Sequence, residues 1–137
     1  MFAITADQIG SRRAADLADA QLAAIDALAA GRLVLPADRT AGDEIQAATE
    51  DARTALAIVL HLTRDGNWSV GLGIGDVRTP LPDTTRAMTG SAFILARDAV
   101  TAANQRLLAA QHGVRSVALW ALGTEDPALW SFLDRAH

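Results

Sequence analysis

The chain has 137 residues, half of them hydrophobic and a fifth charged, which suits one domain with a buried core and argues against disorder. Sixteen acidic residues against 12 basic ones give a net charge of −4 without any basic run, which argues against nonspecific nucleic-acid binding and against an anionic membrane surface. Zero cysteines exclude disulfides, thiolate chemistry and cysteine-held metal centres, and because every basic residue is arginine there is no lysine nucleophile. No apolar run approaches the ~20 residues that span a bilayer, and Asp7 interrupts the apolar start with no basic region before it, so a soluble cytoplasmic protein is expected.

In chain order, Phe2-Ala3-Ile4-Thr5-Ala6 reads as a short buried strand, punctuated by Gly10. A helix is expected from Arg12 to about Ala30, with Ser11 as N-cap and Gly31 as its stop. Leu17, Ala18, Leu22, Ile25, Leu28 and Ala29 fall on its apolar face. Leu33-Val34-Leu35 begins a second strand, placed at a sheet edge by Pro36, which cannot donate to a ladder. A turn near Thr40–Gly42 leads into a third strand, Glu44-Ile45-Gln46-Ala47-Ala48.

A second helix covers about Asp51 to Thr63, with Ala52, Leu56, Val59, Leu60 and Thr63 sharing a face, and Asp65-Gly66-Asn67 ends it. Trp68 to Gly75 is a glycine-studded fourth strand, in which the glycines signal close backbone approach. Residues 79–83 form a loop. A third helix runs from about Ser91 to Gln111, with Phe93, Ala96, Val100, Ala103 and Leu107 inward. A fifth strand is expected over Val114–Leu122, then a terminal helix with Pro127 just inside its start.

The β-α-β-β-α-β order predicts an α+β, ferredoxin-like fold with strand order 4-1-3-2 and an added C-terminal strand and helix, all in one domain over residues 1–137. That topology sets Asp7, at the end of the first strand, beside Asp43 at the start of the third. Two carboxylates at adjacent strand ends can hold a divalent cation, and Gly10 beside them lets backbone N–H groups approach a phosphate. Like charges at this position repel and carry no folding benefit. Only one of Asp43 and Glu44 should face Asp7, because adjacent strand residues alternate; Asp43 is preferred and Glu44 is second. Competing structural roles are available throughout: a helix cap for Asp7 or Ser11, polar turn positions for Asp43 and Glu44, solvated helix positions for Arg12 and Arg13. No two of His61, His112 and His137 have metal-ligand spacing, and the glycines at 71, 73 and 75 lie within a strand rather than opening a helix, so they are no dinucleotide fingerprint.

Ala6-Asp7-Gln8-Ile9-Gly10-Ser11-Arg12, Gly42-Asp43-Glu44-Ile45-Gln46, Gly73-Ile74-Gly75 and Gly90-Ser91-Ala92-Phe93 resemble the SatD family, over roughly the first 110 residues. The same motifs resemble the catalytic palm of class III nucleotidyl cyclases and diguanylate cyclases. This resemblance implies Mg²⁺ or Mn²⁺ held by Asp7 and Asp43, with Glu44 near, and phosphates held by backbone N–H groups of Ile9, Gly10 and Ser11 beside Arg12. Arg39 stands where those cyclases read the base with lysine. Counted from Gly90, Ile94 takes the place of their asparagine and Asp98 that of their transition-state arginine, with Arg97 one position early. The expected activity is metal-dependent binding, with or without turnover, of a nucleotide or other phosphorylated small molecule. The alternative is a catalytically degenerate palm serving as a regulatory or protein-interaction module. Palm cyclases work as dimers, and Trp130, Phe132 and Leu133 offer apolar surface, so a homodimer is expected.

Overall fold

The computed structural model describes residues 1–13, 15–40 and 42–111. The expected strand Val114–Leu122, the terminal helix with Trp130, Phe132 and Leu133, and both His112 and His137 lie outside the described residues.

Four strands, β1 (Phe2–Gln8), β2 (Asp38–Arg39), β3 (Glu44–Thr49) and β4 (Trp68–Ile74), form one antiparallel sheet in the order β2-β3-β1-β4. Three helices, α1 (Ala18–Ala29), α2 (Ala52–Thr63) and α3 (Ser91–Gln111), cover it. The fold is α+β, with the strand order that the sequence predicts. Alternation along the strands makes two cores. Ile4, Ala6, Ile45, Ala47 and Trp68 meet α1 and α2 on one face, while Ala3 and Ala48 meet Ala92, Phe93 and Ala96 of α3 on the other. Each fully buried isoleucine in the first core contributes roughly 1.5–3 kcal/mol.

Three expectations are corrected. The first helix starts at Ala18 rather than Arg12, and Ser11 does not cap it. Gly10, at φ 69°, closes a turn in which the Arg13 N–H donates to the Gly10 carbonyl, so residues 10–13 leave the helical path. The caps come from elsewhere: the Leu17 N–H donates to Gln8 Oε1 and the Ala18 N–H to Asp16 Oδ1, both at 3.0 Å. Second, Leu33–Leu35 makes only a single bridge from Leu33 to Thr49, and the ladder resumes at Asp38–Arg39 past Pro36. Proline has no N–H to continue it, and β2 is indeed an edge.

Third, α2 turns a different face inward. Thr54, Ala55, Ile58 and Leu62 are buried, whereas Leu56 and Leu60 are 56% and 60% exposed. Ala55 to Leu62 is apolar at nearly every position, so its periodicity selects no face. Polar contacts at the helix start set the rotation: Asp51 accepts from the Thr54 N–H and hydroxyl at 3.1 and 2.6 Å, and Arg32 Nε donates to Thr54 Oγ1 at 2.8 Å.

α3 lies on β4 with backbone against backbone. A Cβ at Gly71 would overlap the Ala96 carbonyl oxygen, and one at Gly73 the Ala92 carbonyl oxygen. Phe93, Ala96 and Val100 face inward as expected, but Leu107 is 38% exposed. No helix among the described residues is long and apolar enough to cross a membrane.

Gly73→Ala should cost about 3 kcal/mol or more, the upper end of overpacking penalties, because backbone atoms must move. Urea unfolding reads this directly, and a loss below about 1 kcal/mol would show that α3 does not rest on that glycine.

Candidate functional site

The register of β1 places three side chains in one row across three strands. Asp7 lies opposite Glu44 of β3 and opposite Ser69 of β4, and opposed residues share a face. That face is the one covered by α3. From the helix, Asn104 Nδ2 donates to Asp7 Oδ2 at 3.1 Å and Arg97 Nη2 stands 3.5 Å from Glu44 Oε1. Glu44 Oε1 also accepts from Thr40 Oγ1 at 2.6 Å and from Gln46 Nε2 at 3.3 Å.

Asp43 sits just before β3, with its charge within reach of Asp7. The Asp7 carboxyl is pushed above the ordinary aspartate range, chiefly by burial and further by the charges of Asp43 and Glu44; the Asn104 hydrogen bond opposes the shift. The three acidic residues singled out from the sequence therefore gather at one strand end. The preference for Asp43 is corrected: Glu44 is the one in register with Asp7, because β3 begins at Glu44, while Asp43 precedes the strand, lines a neighbouring cavity and reaches Asp7 with its charge.

That cavity, about 240 Å³, lies where the turn after β1 meets the β2–β3 hairpin, and is lined by Gln8, Ser11, Arg12, Asp16, Arg39, Gly42 and Asp43. Of the expected phosphate-holding groups, Ser11 and Arg12 line it. The Ile9 N–H is already committed to the Asn67 carbonyl at 2.8 Å, so of the expected phosphate-holding groups it is not free to take that part. Gln8 is buried and braces the loop, its Nε2 donating to the Ala15 carbonyl at 2.7 Å.

Arg39 lines the cavity too, but it is engaged. Its Nη2 lies 2.7 Å from Asp16 Oδ2, its Nη1 3.6 Å from Asp19 Oδ1, and its Nε donates to the Gly42 carbonyl. The Asp16 carboxyl is held below the usual range, first by the Ala18 N–H and then by Arg39. Arg39 thus ties the hairpin to the start of α1, and a ligand reaching it must share it with two carboxylates.

Asn104 and Ser69 escaped the sequence reading, which set Arg97 one position out of place. Arg97 and Asn104 are seven residues apart, two turns of one helix face, so their spacing carries a signal that counting from Gly90 misses. Ser69 lies two residues before Gly71, hence on the same strand face. His61 Nε2 is 2.9 Å from Gln21 Oε1, joining α2 to α1 away from the carboxylates.

Among the described residues no three Asp, Glu, His or Cys side chains form a group that could hold a metal ion. The oxygen chemistry nonetheless suits a hard cation. Beside Asp7 on the same face, the Ser69 Oγ and Thr5 Oγ1 are buried with no hydrogen-bond partner among the described residues, an arrangement that costs about 1–3 kcal/mol per group unless something fills it. No family model, curated protein or solved structure matches this chain.

The raised Asp7 pKa has a definite sign. The protonated form confers stability that is complete below the unfolded-state pKa and is lost as pH rises through the folded-state value. Asp7→Asn should remove that slope and leave the metal-free protein at least as stable as wild type at neutral pH. Melting both proteins between about pH 3 and pH 8, which spans carboxylate titration, checks it; a mutant that is less stable at neutral pH would contradict it.

Proposed function

We propose that this chain is a ferredoxin-like, palm-type domain of SatD-like character that binds a nucleotide or other phosphorylated small molecule with Mg²⁺ or Mn²⁺. Asp7, Asp43 and Glu44 would hold the cation, and Gly10, Ser11 and Arg12 would receive the phosphates in the adjoining cavity, with Arg39 at its wall. The observation that carries this proposal is the half-buried Asp7 carboxyl at a strand end with Asp43 and Glu44 near it, its pKa raised first by burial and then by their two charges. A bound divalent cation supplies charge neutralisation and polarises phosphoryl oxygens. The chain's own residues orient the ligand: Arg12 offers a cation at the cavity wall, and Asn104 fixes the Asp7 carboxylate.

A non-catalytic regulatory module is the second reading. It is favoured by the engagement of Arg39 with Asp16 and Asp19, and of Glu44 with Thr40 and Arg97, which leaves these side chains satisfied without ligand.

Wild type and Asp7→Asn should be melted with and without Mn²⁺, alone and with a panel of nucleotides. Wild type should gain on the order of 2.7 kcal/mol at a hundredfold excess of ligand over Kd, and the mutant should gain nothing. Equal responses in the two proteins, or none in either, would favour the regulatory module.

The same proposal places the protein in the cytoplasm as a homodimer. The exposed Leu56 and Leu60 on α2 and Ile94, 63% exposed on α3, leave apolar surface for association. Light scattering at micromolar concentration should return twice the 14.4 kDa chain mass, and a monomer refutes the dimer.

A further inference from the structure

Glu44, Asp7 and Ser69 form a row across β3, β1 and β4. Glu44 and Asp7 are partly accessible, whereas Ser69 is 3% exposed. Asp7 is directly opposed to both neighbours, and opposed residues in antiparallel strands hold their Cβ atoms about 4.5–5.5 Å apart, so an ion beside the Asp7 carboxylate is within reach of the Ser69 hydroxyl on one side and of the longer Glu44 side chain on the other, with bonds of ~2.0–2.6 Å. Asn104 holds one Asp7 oxygen, and no described residue donates to the other. The Ser69 hydroxyl, beside it on the α3 face, has no partner among the described residues.

Hydrophobic packing does not account for a serine here. α3 presses on Gly71 and Gly73 of the same strand face so closely that neither tolerates a Cβ, yet at position 69 the strand carries a side chain, and a polar one. An alanine would fill that site without leaving a buried hydroxyl unsatisfied.

We propose that the Ser69 hydroxyl is the buried ligand of the cation held by Asp7 and Glu44, so that the site spans β3, β1 and β4 beneath α3 rather than resting on the Asp7–Asp43 pair alone. This rests on the cation-binding function proposed above. Two carboxylates and a hydroxyl make an oxygen-only set suited to Mg²⁺ or Mn²⁺, with water completing the coordination on the Glu44 side. Asn104 is then a positioning residue, orienting Asp7 toward its neighbour on β4.

The test uses the full chain and the metal alone. Mn²⁺ titrated calorimetrically into wild type should bind, and Ser69→Ala should weaken that binding by on the order of tenfold, the loss expected for one interaction with a charged group. The metal-free Ser69→Ala protein should melt at the wild-type temperature or above it, since an unsatisfied hydroxyl is removed. Because the chain has no cysteine, Ser69→Cys introduces its only thiol, and it should shift preference from Mn²⁺ toward thiophilic Cd²⁺ by tenfold or more relative to wild type. This second variant decides the matter if the alanine protein does not fold. If wild type binds Mn²⁺ and both variants bind it within twofold of wild type with no gain for Cd²⁺, Ser69 is no ligand and the inference fails while the cation-binding proposal survives. If wild type binds no Mn²⁺, both fail together.

Discussion

The close approach of α3 to the glycines of β4 is the contact on which the rest of the arrangement depends. Gly71 and Gly73 remove the side chains that would hold a helix at the usual distance, and α3 settles until its carbonyls occupy the space where Cβ atoms would be. Small residues on the helix, Ala92 and Ala96, complete the fit from above. The core on this face is therefore made from short side chains and backbone, with Phe93 and Met88 as its larger members. Such a core gains through contact density rather than through large buried side chains, and it tolerates little change in volume.

That seating determines what the helix brings to the carboxylates. With its first turns locked over Gly73 and Gly71, α3 runs back along β4 and presents Arg97 to Glu44 and Asn104 to Asp7. Sliding the helix by one turn would move both by ~5.4 Å and break both contacts. The polar row at the strand ends is thus fixed by an apolar contact some distance away along the sheet. Repulsion among Asp7, Asp43 and Glu44 is a local cost, tolerated because the glycine packing, the isoleucine core on the opposite face and the Asp51 cap of α2 supply stability elsewhere.

The second organising feature is the chain between β1 and α1. Gln8 reaches forward to Ala15 and Leu17, Asp16 caps Ala18, and Arg39 clamps Asp16 to the hairpin. These bonds convert what reads as helix into a braced loop with a cavity beside it. Arg39 illustrates how one side chain can be both scaffold and cavity wall: its guanidinium has donors enough to hold two carboxylates and a carbonyl while still lining the space.

The amino-acid sequence by itself determined the strand order, the start of α3, an edge strand beside Pro36 and the placing of an acidic hairpin end next to Asp7, though not which of its two carboxylates stands in register. These follow from local signals that tertiary packing reinforces: strand alternation, glycine punctuation, helix periodicity and the absence of an N–H on proline. Only the tertiary structure decided the start of α1, the inward face of α2 and which side chains surround Asp7. The helix start depended on Gln8, ten residues before Ala18 by numbering, whose amide competes for the caps. The α2 face depended on Arg32 and Asp51 gripping Thr54, since an almost uniformly apolar helix has no preferred side of its own. Asn104 and Ser69 came to Asp7, and Arg97 to Glu44, through contacts up to 97 residues apart, set by how closely a helix can lie on a strand without side chains, a distance that no local pattern encodes.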